Sequence, residues 1–223
     1  MKRLAPAFYF LIFLHGCTSE SEIPTTGRDY MMKSIAYHDR EGLWKQLKAT
    51  FVIQDSLPAG RDSRSYEFSI DNSQNKLIYK TTGLHYIVWN DSVQVFEGQI
   101  EKERALRMRN YYQYLWGLPM KLMDEGTVIE DSVGMEELNG MEYHVVRVPY
   151  EKDTWHFFLE PGTYRLAAYR FFQDEANRKG ELIFLQGEEE LKGLKIPKNR
   201  SWYRTERSEF LGMDRLIEIK PQE

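Results

Sequence analysis

Arg64-Ser65-Tyr66-Glu67-Phe68-Ser69-Ile70 alternates without a break. Tyr66, Phe68 and Ile70 fall on one side of an extended chain and Ser65, Glu67 and Ser69 on the other, which is the period of a half-buried strand. Asp71-Asn72-Ser73 follows as turn chemistry. The rhythm continues in both directions. It begins at Ala49, and strands are predicted over 76–80, 84–89 and 92–97, divided by turn residues such as Asn90-Asp91. It resumes over 141–150, 154–160, 163–172, 181–186, 201–205 and 216–219, with Asn139-Gly140 as a hairpin turn and Pro161-Gly162 as a break. About ten strands at short, regular spacing predict a meandering antiparallel sheet, strongly curved or nearly closed.

Two stretches break that period. Residues 28–38 carry Met31, Ile35 and His38 at helical spacing. Residues 101–115 carry Leu106, Arg109, Tyr112 and Leu115 along one side, and Gly117 and Pro119 stop them. In Trp155-His156-Phe157-Phe158-Leu159 both faces are apolar. A sheet with one wet face does not read that way, so a cover is expected over its second face, with the two helices as the candidates. The expected class is α+β and mostly β: a curved antiparallel sheet, or incomplete barrel, covered by helices.

Composition bounds the rest. The 223 residues are 42% hydrophobic, 29% charged and 14% aromatic, which fits one globular domain with a sizeable core. A net charge of −4 provides no basic footprint, so nucleic acid is not expected as a partner. The single cysteine excludes an internal disulfide framework and a multi-cysteine metal site.

Met1-Lys2-Arg3 and the apolar run 4–14 form a basic start with a short apolar core. A spanning helix needs about 20 apolar residues, so the run reads as a secretory signal. Leu14-His15-Gly16-Cys17 resembles the lipobox of bacterial lipoproteins. That resemblance implies cleavage before Cys17 and a diacylglyceryl group on its sulfur. The expected organisation is a signal over 1–16, a lipidated cysteine with a polar tether over 17–27, and a single domain over 28–223. Loss of Lys2 and Arg3 leaves 28 basic against 34 acidic residues, net −6, so the domain is not drawn to anionic lipid by its own surface. The lipid is then the expected hold on the membrane, placing the domain in the cell envelope at the outer membrane, on a face the sequence does not specify.

Tyr114-Leu115-Trp116-Gly117-Leu118-Pro119-Met120-Lys121-Leu122 with Asp124 and Gly126, Tyr37-His38-Asp39 with Trp44, and Ile196-Pro197-Lys198 with Arg200 and Trp202 recur together. In this combination the chain resembles a family of Bacteroidota lipoproteins that has no assigned activity. The resemblance implies the architecture of the lipoprotein-carrier proteins (LolA-like and LolB-like), in which a curved, incomplete barrel closes over helices around an apolar cavity.

No G-x-S-x-G elbow, phosphate-binding glycine loop or H-E-x-x-H motif occurs. His156 is expected to face Val148 or Pro149 across a hairpin, with His144 some residues further along and too distant for a shared metal. No catalytic residue, metal or cofactor is expected. His38-Asp39 could orient an imidazole as a general base or simply close a helix with a cap and a turn acid. The 117–122 segment reads as helix stop and packing, or as ligand contact. Glu188-Glu189-Glu190 is expected to be a solvated turn. Trp89, Phe96, Trp116, Met120, Trp155 and Phe157 are the candidates for lining an apolar cavity; the same side chains could instead fill a small barrel. The partners expected are the membrane, through the lipid, and a lipid or other hydrophobic ligand. The rival readings are an envelope scaffold or interaction module, whose protein partner the sequence does not name, and an enzyme.

Overall fold

The computed structural model describes residues 23–222. The expected signal (1–16) and the expected lipidation site at Cys17 lie outside them. The chain runs α1 (Gly27–His38), β1 (Lys48–Ser56), β2 (Ser65–Asp71), β3 (Lys76–Thr81), β4 (Leu84–Trp89), β5 (Ser92–Glu97), α2 (Lys102–Trp116), β6 (Val133–Leu138), β7 (Met141–Pro149), β8 (Thr154–Leu159), β9 (Leu166–Asp174), β10 (Lys179–Leu191), β11 (Leu194–Arg204) and β12 (Glu209–Pro221). α1 starts at Gly27 because Thr26 and Asp29 form a capping box: the Asp29 N–H donates to Thr26 Oγ1 at 3.2 Å and the Thr26 N–H to the Asp29 carboxylate at 2.9 Å.

The strands form one antiparallel, twelve-stranded sheet in the order β5-β4-β3-β2-β1-β12-β11-β10-β9-β8-β7-β6. It consists of two meanders, β1–β5 and β6–β12, joined where the first strand pairs with the last. The connection between the meanders must therefore pass from one edge of the sheet to the other. Flat, eleven spacings of about 4.8 Å would set those edges about 53 Å apart. The sheet instead curls, unclosed, around the crossover that carries α2.

Two apolar clusters share the helix-bearing face. One joins Phe51, Phe68, Tyr86 and Val88 of the first meander to Tyr112 and Trp116 of α2. The other joins Met31 of α1 and Leu115, Leu118 and Leu122 to Trp155, Phe157, Leu159 and Tyr169 of the second meander. The helices thus cover one face of β8; its other face is covered as well, but not by a helix. On its other face Phe158 packs with Val145, Ala168, Leu138 and Phe184. There the Arg170 guanidinium lies 5.1 and 4.9 Å from the Phe158 and Phe172 rings and pairs with Glu136 of β6. That face is apolar because the sheet supplies its own small second core.

Several strand readings need correction: β11 and β12 begin at Leu194 and Glu209, seven residues earlier than each is expected to. β6 carries too little alternation to be found ahead of the Asn139-Gly140 turn. Glu188-Glu189-Glu190 is not a turn but the end of β10, paired to β11. Tyr37 donates its hydroxyl to Glu188 at 3.1 Å and Lys198 pairs with Glu189 at 3.1 Å. The turn is Lys192-Gly193, at φ 53° and 92°. Gly187 and Pro197 punctuate these two long strands and hide them from a reading by period.

Candidate functional site

α2 does not fill the curl. Near one rim it leaves a cleft of about 430 Å³, walled by Tyr111, Tyr114 and Leu115 on the helix side and by Trp155, Phe171, Trp202 and Met213 on the sheet side. Strand register assembles the floor. Trp155, Phe171 and Glu181 form one row across β8, β9 and β10. Asp55 and Asp214 form another across β1 and β12, with Arg200 next in register on β11, behind the lining. The aromatic walls interlock: Trp155 stacks on Phe171 with centroids 4.9 Å apart, Tyr114 meets Trp155 edge-on at 5.4 Å, and Tyr111 stacks over Trp202 at 6.3 Å.

Four carboxylates open onto this space, each held differently. Asp55, 2% exposed, accepts the Arg64 N–H at 2.5 Å and its Nε at 2.7 Å. Asp153 accepts the Trp155 Nε1–H at 2.8 Å. Asp214 accepts the Trp202 Nε1–H at 3.2 Å. Burial pushes the Asp214 carboxyl above its ordinary range, with Asp55 adding to the shift and Arg200 and Trp202 opposing it. Burial likewise pushes Glu181 up.

Behind the floor lie two buried polar groups without full partners. The Tyr169 side chain is fully buried between Trp155 and Trp202, and its hydroxyl has no hydrogen bond. Arg200, 1% exposed, stacks its guanidinium 3.5 Å over the Trp116 ring and donates Nη1–H to the Pro197 carbonyl at 2.7 Å, leaving Nε unpartnered.

The sequence-selected residues divide. Trp155 lines the cleft, and Phe157 lies fully buried one row deeper. Trp116 and Met120 are buried in the packing behind α2. Trp89 and Phe96 do not belong to it: they are 54% and 55% exposed. Tyr86 and Val88 take the inward positions of β4, so alternation turns Trp89 outward. A bulge opposite His85/Tyr86 turns Phe96 onto the His85 ring, 4.8 Å away. Tyr111, Tyr114, Phe171, Trp202 and Asp214 were not legible as lining. Trp202 of the Arg-x-Trp pair was the nearest signal, because an i, i+2 spacing on a strand puts both residues on one face.

The shared motif residues form a spine instead. His38 is fully buried, its Nδ1 is 2.9 Å from the Lys195 carbonyl, and the Leu166 N–H donates to its Nε2 at 3.1 Å. A carbonyl only accepts and an amide N–H only donates, so the ring is the neutral Nδ1–H tautomer. Both nitrogens are committed, which removes His38 as a general base. Asp39 accepts the N–H groups of Leu43 and Trp44 at 2.7 and 2.9 Å. Trp44 in turn packs against Gly117. His156 faces Arg147, not Val148 or Pro149, and His144 faces Leu159. His144 contacts Tyr30 of α1 whereas His156 pairs with Glu175 on the opposite face, so the sheet separates them.

The fold is LolA-like. A LolA superfamily protein from Nitrosomonas europaea aligns at a TM-score of 0.55 and 10% identity, covering 89% of this chain and 94% of that one. A putative outer membrane lipoprotein-sorting protein domain from Vibrio parahaemolyticus aligns at 0.53 and 8% identity, covering 88% and 93%. By sequence the chain belongs to the family of unknown function DUF6503, whose model matches residues 5–219. No curated protein matches the chain.

Proposed function

We propose that the protein is a lipid-anchored component of the cell envelope that binds a lipid or other hydrophobic ligand in the cleft beneath α2. One observation carries the reading. A space of about 430 Å³ whose walls include five aromatic side chains lies within the usual size of small-molecule sites. Its lining also carries four carboxylates, polar groups that a site for an amphiphile needs. Among the described residues no helix is long and apolar enough to cross a membrane, so attachment in this reading falls to Cys17. Acylation there leaves up to five residues between Cys17 and the first described residue, which keeps the domain close to the bilayer. Native mass spectrometry of the delipidated domain, with displacement of a fluorescent fatty acid, tests the ligand. A co-purified or titratable lipid at one per chain is the expected result; no adduct and no displacement would overturn it. Loss of membrane association in a Cys17→Ala variant tests the anchor.

A second reading rests on Trp89 and Phe96. Two large aromatics exposed at the two ends of the β4–β5 hairpin, whose β5 edge has no strand partner among the described residues, are what a docking module would present. It requires a protein partner recovered by cross-linking and lost when both side chains are removed.

A further inference from the structure

We infer that the cleft selects amphiphiles whose head carries a protonated amine over those whose head is a carboxylate; this rests on the ligand reading above and names the chemistry of its ligand. The wall and the charges point the same way. Asp55, Asp153, Glu181 and Asp214 line the space, and among the described residues only Asp55 has an ion-pair partner, Arg64 at 2.5 Å. Among the described residues no Lys, Arg or His nitrogen lies within 4.0 Å of Asp153, Glu181 or Asp214. Of the nearby cations, Arg200 is held by the Pro197 carbonyl and the Trp116 ring, and Arg204, opposite Glu181 across β10 and β11, pairs with Glu209. Behind this wall the buried Tyr169 hydroxyl has no hydrogen bond; Arg200 is the charged group it feels most, and Asp214 and Glu181 of the lining come next.

An ammonium group entering this space meets uncompensated carboxylates and the faces of Trp155, Trp202 and Tyr111, which attract a cation through their quadrupoles. It also relieves the cost of burying Asp214 and Glu181 as anions. A carboxylate head meets the same groups with the sign reversed, since Arg64 is already engaged by Asp55. The alkyl chain makes the same contacts in either case, so the head alone decides the preference.

The test uses three probes of equal chain length, dodecylammonium, dodecanoate and dodecyl maltoside, titrated calorimetrically into the intact protein below micelle formation at about pH 7.5, where the amine is charged and the acid ionised. Dodecylammonium should bind about tenfold or more tighter than dodecanoate, with the maltoside between them. In the Glu181→Gln/Asp214→Asn variant, checked for folding by circular dichroism, the ratio should fall to within about threefold. Should that variant not fold, Glu181→Gln alone must still lower the ratio. Dodecanoate binding as tightly as dodecylammonium, or a ratio unchanged by the substitutions, would overturn the head-group preference while leaving the ligand reading in place. Binding of none of the three would overturn both.

Discussion

His38, at the end of α1, donates its Nδ1–H to the carbonyl of Lys195 in β11, 157 residues away in sequence. The bond ties the first helix to the second meander. Burial, with the nearby cations Arg165, Lys195 and Arg200, lowers the His38 pKa from 6.5 to about 4 against the pull of that carbonyl. The unfolded chain therefore takes up a proton near pH 6.5 that the folded chain resists until about pH 4, so stability is full above that window and falls as pH drops through it. The shift corresponds to about 3 kcal/mol. His156 shifts in the same direction, and Asp214 and Glu181 act oppositely at the acid end. Urea unfolding of the parent and of His38→Gln at several pH values isolates the effect: the parent should lose stability between pH 6.5 and 4 more steeply than the variant.

Gly117 follows α2 at φ −92°, a conformation open to any residue. What it supplies is room. A Cβ there would stand 2.5 Å from Trp44 Cζ2 and 2.6 Å from the Gln113 carbonyl oxygen, and backbone cannot swing aside. Gly117→Ala should cost about 1–3 kcal/mol by overpacking. Gly134→Ala, where nothing lies within 4 Å, should stay within about 0.5 kcal/mol of the parent in the same thermal or urea titration.

Trp116 joins the two halves of the interior. Its ring meets Phe51 at 5.5 Å and Phe68 at 5.7 Å, with the Arg200 guanidinium on one face. Trp116→Ala should destabilise by about 3–5 kcal/mol, read from the urea midpoint, and Trp116→Phe by clearly less.

Trp89 and Phe96 contribute little to the core. Changing both to Ser should move stability by no more than about 0.5 kcal/mol and leave ligand affinity unchanged. A large loss of affinity would place the ligand on the outer face instead of in the cleft.

Much of the fold is legible because period-2 alternation is a local property. The 84–89 and 92–97 strands are read to the residue, since a clear pattern ends at each turn. The long pair β10 and β11 is not, because their pairing with each other continues across the punctuation of Gly187 and Pro197. Less of the site is legible. Which aromatic lines a cleft depends on where the helix crosses the curl, and period alone cannot place it. So Trp155 is found, Trp89 and Phe96 are turned outward by alternation and a bulge, and Tyr111 and Trp202 emerge only from packing. His38-Asp39 reads equally as base or cap until burial and two hydrogen bonds make it structural.

The most direct measurement is tryptophan quenching by a lysophospholipid with a brominated acyl chain, which acts only near contact. Trp155 and Trp202 wall the cleft, whereas Trp89 is exposed on the outer face and Trp44 and Trp116 are buried in the core. Saturable quenching at one lipid per chain, abolished in Trp155→Phe/Trp202→Phe and kept in Trp89→Phe, is the expected result. Quenching that survives the double substitution, or disappears with Trp89, would contradict a ligand held beneath α2.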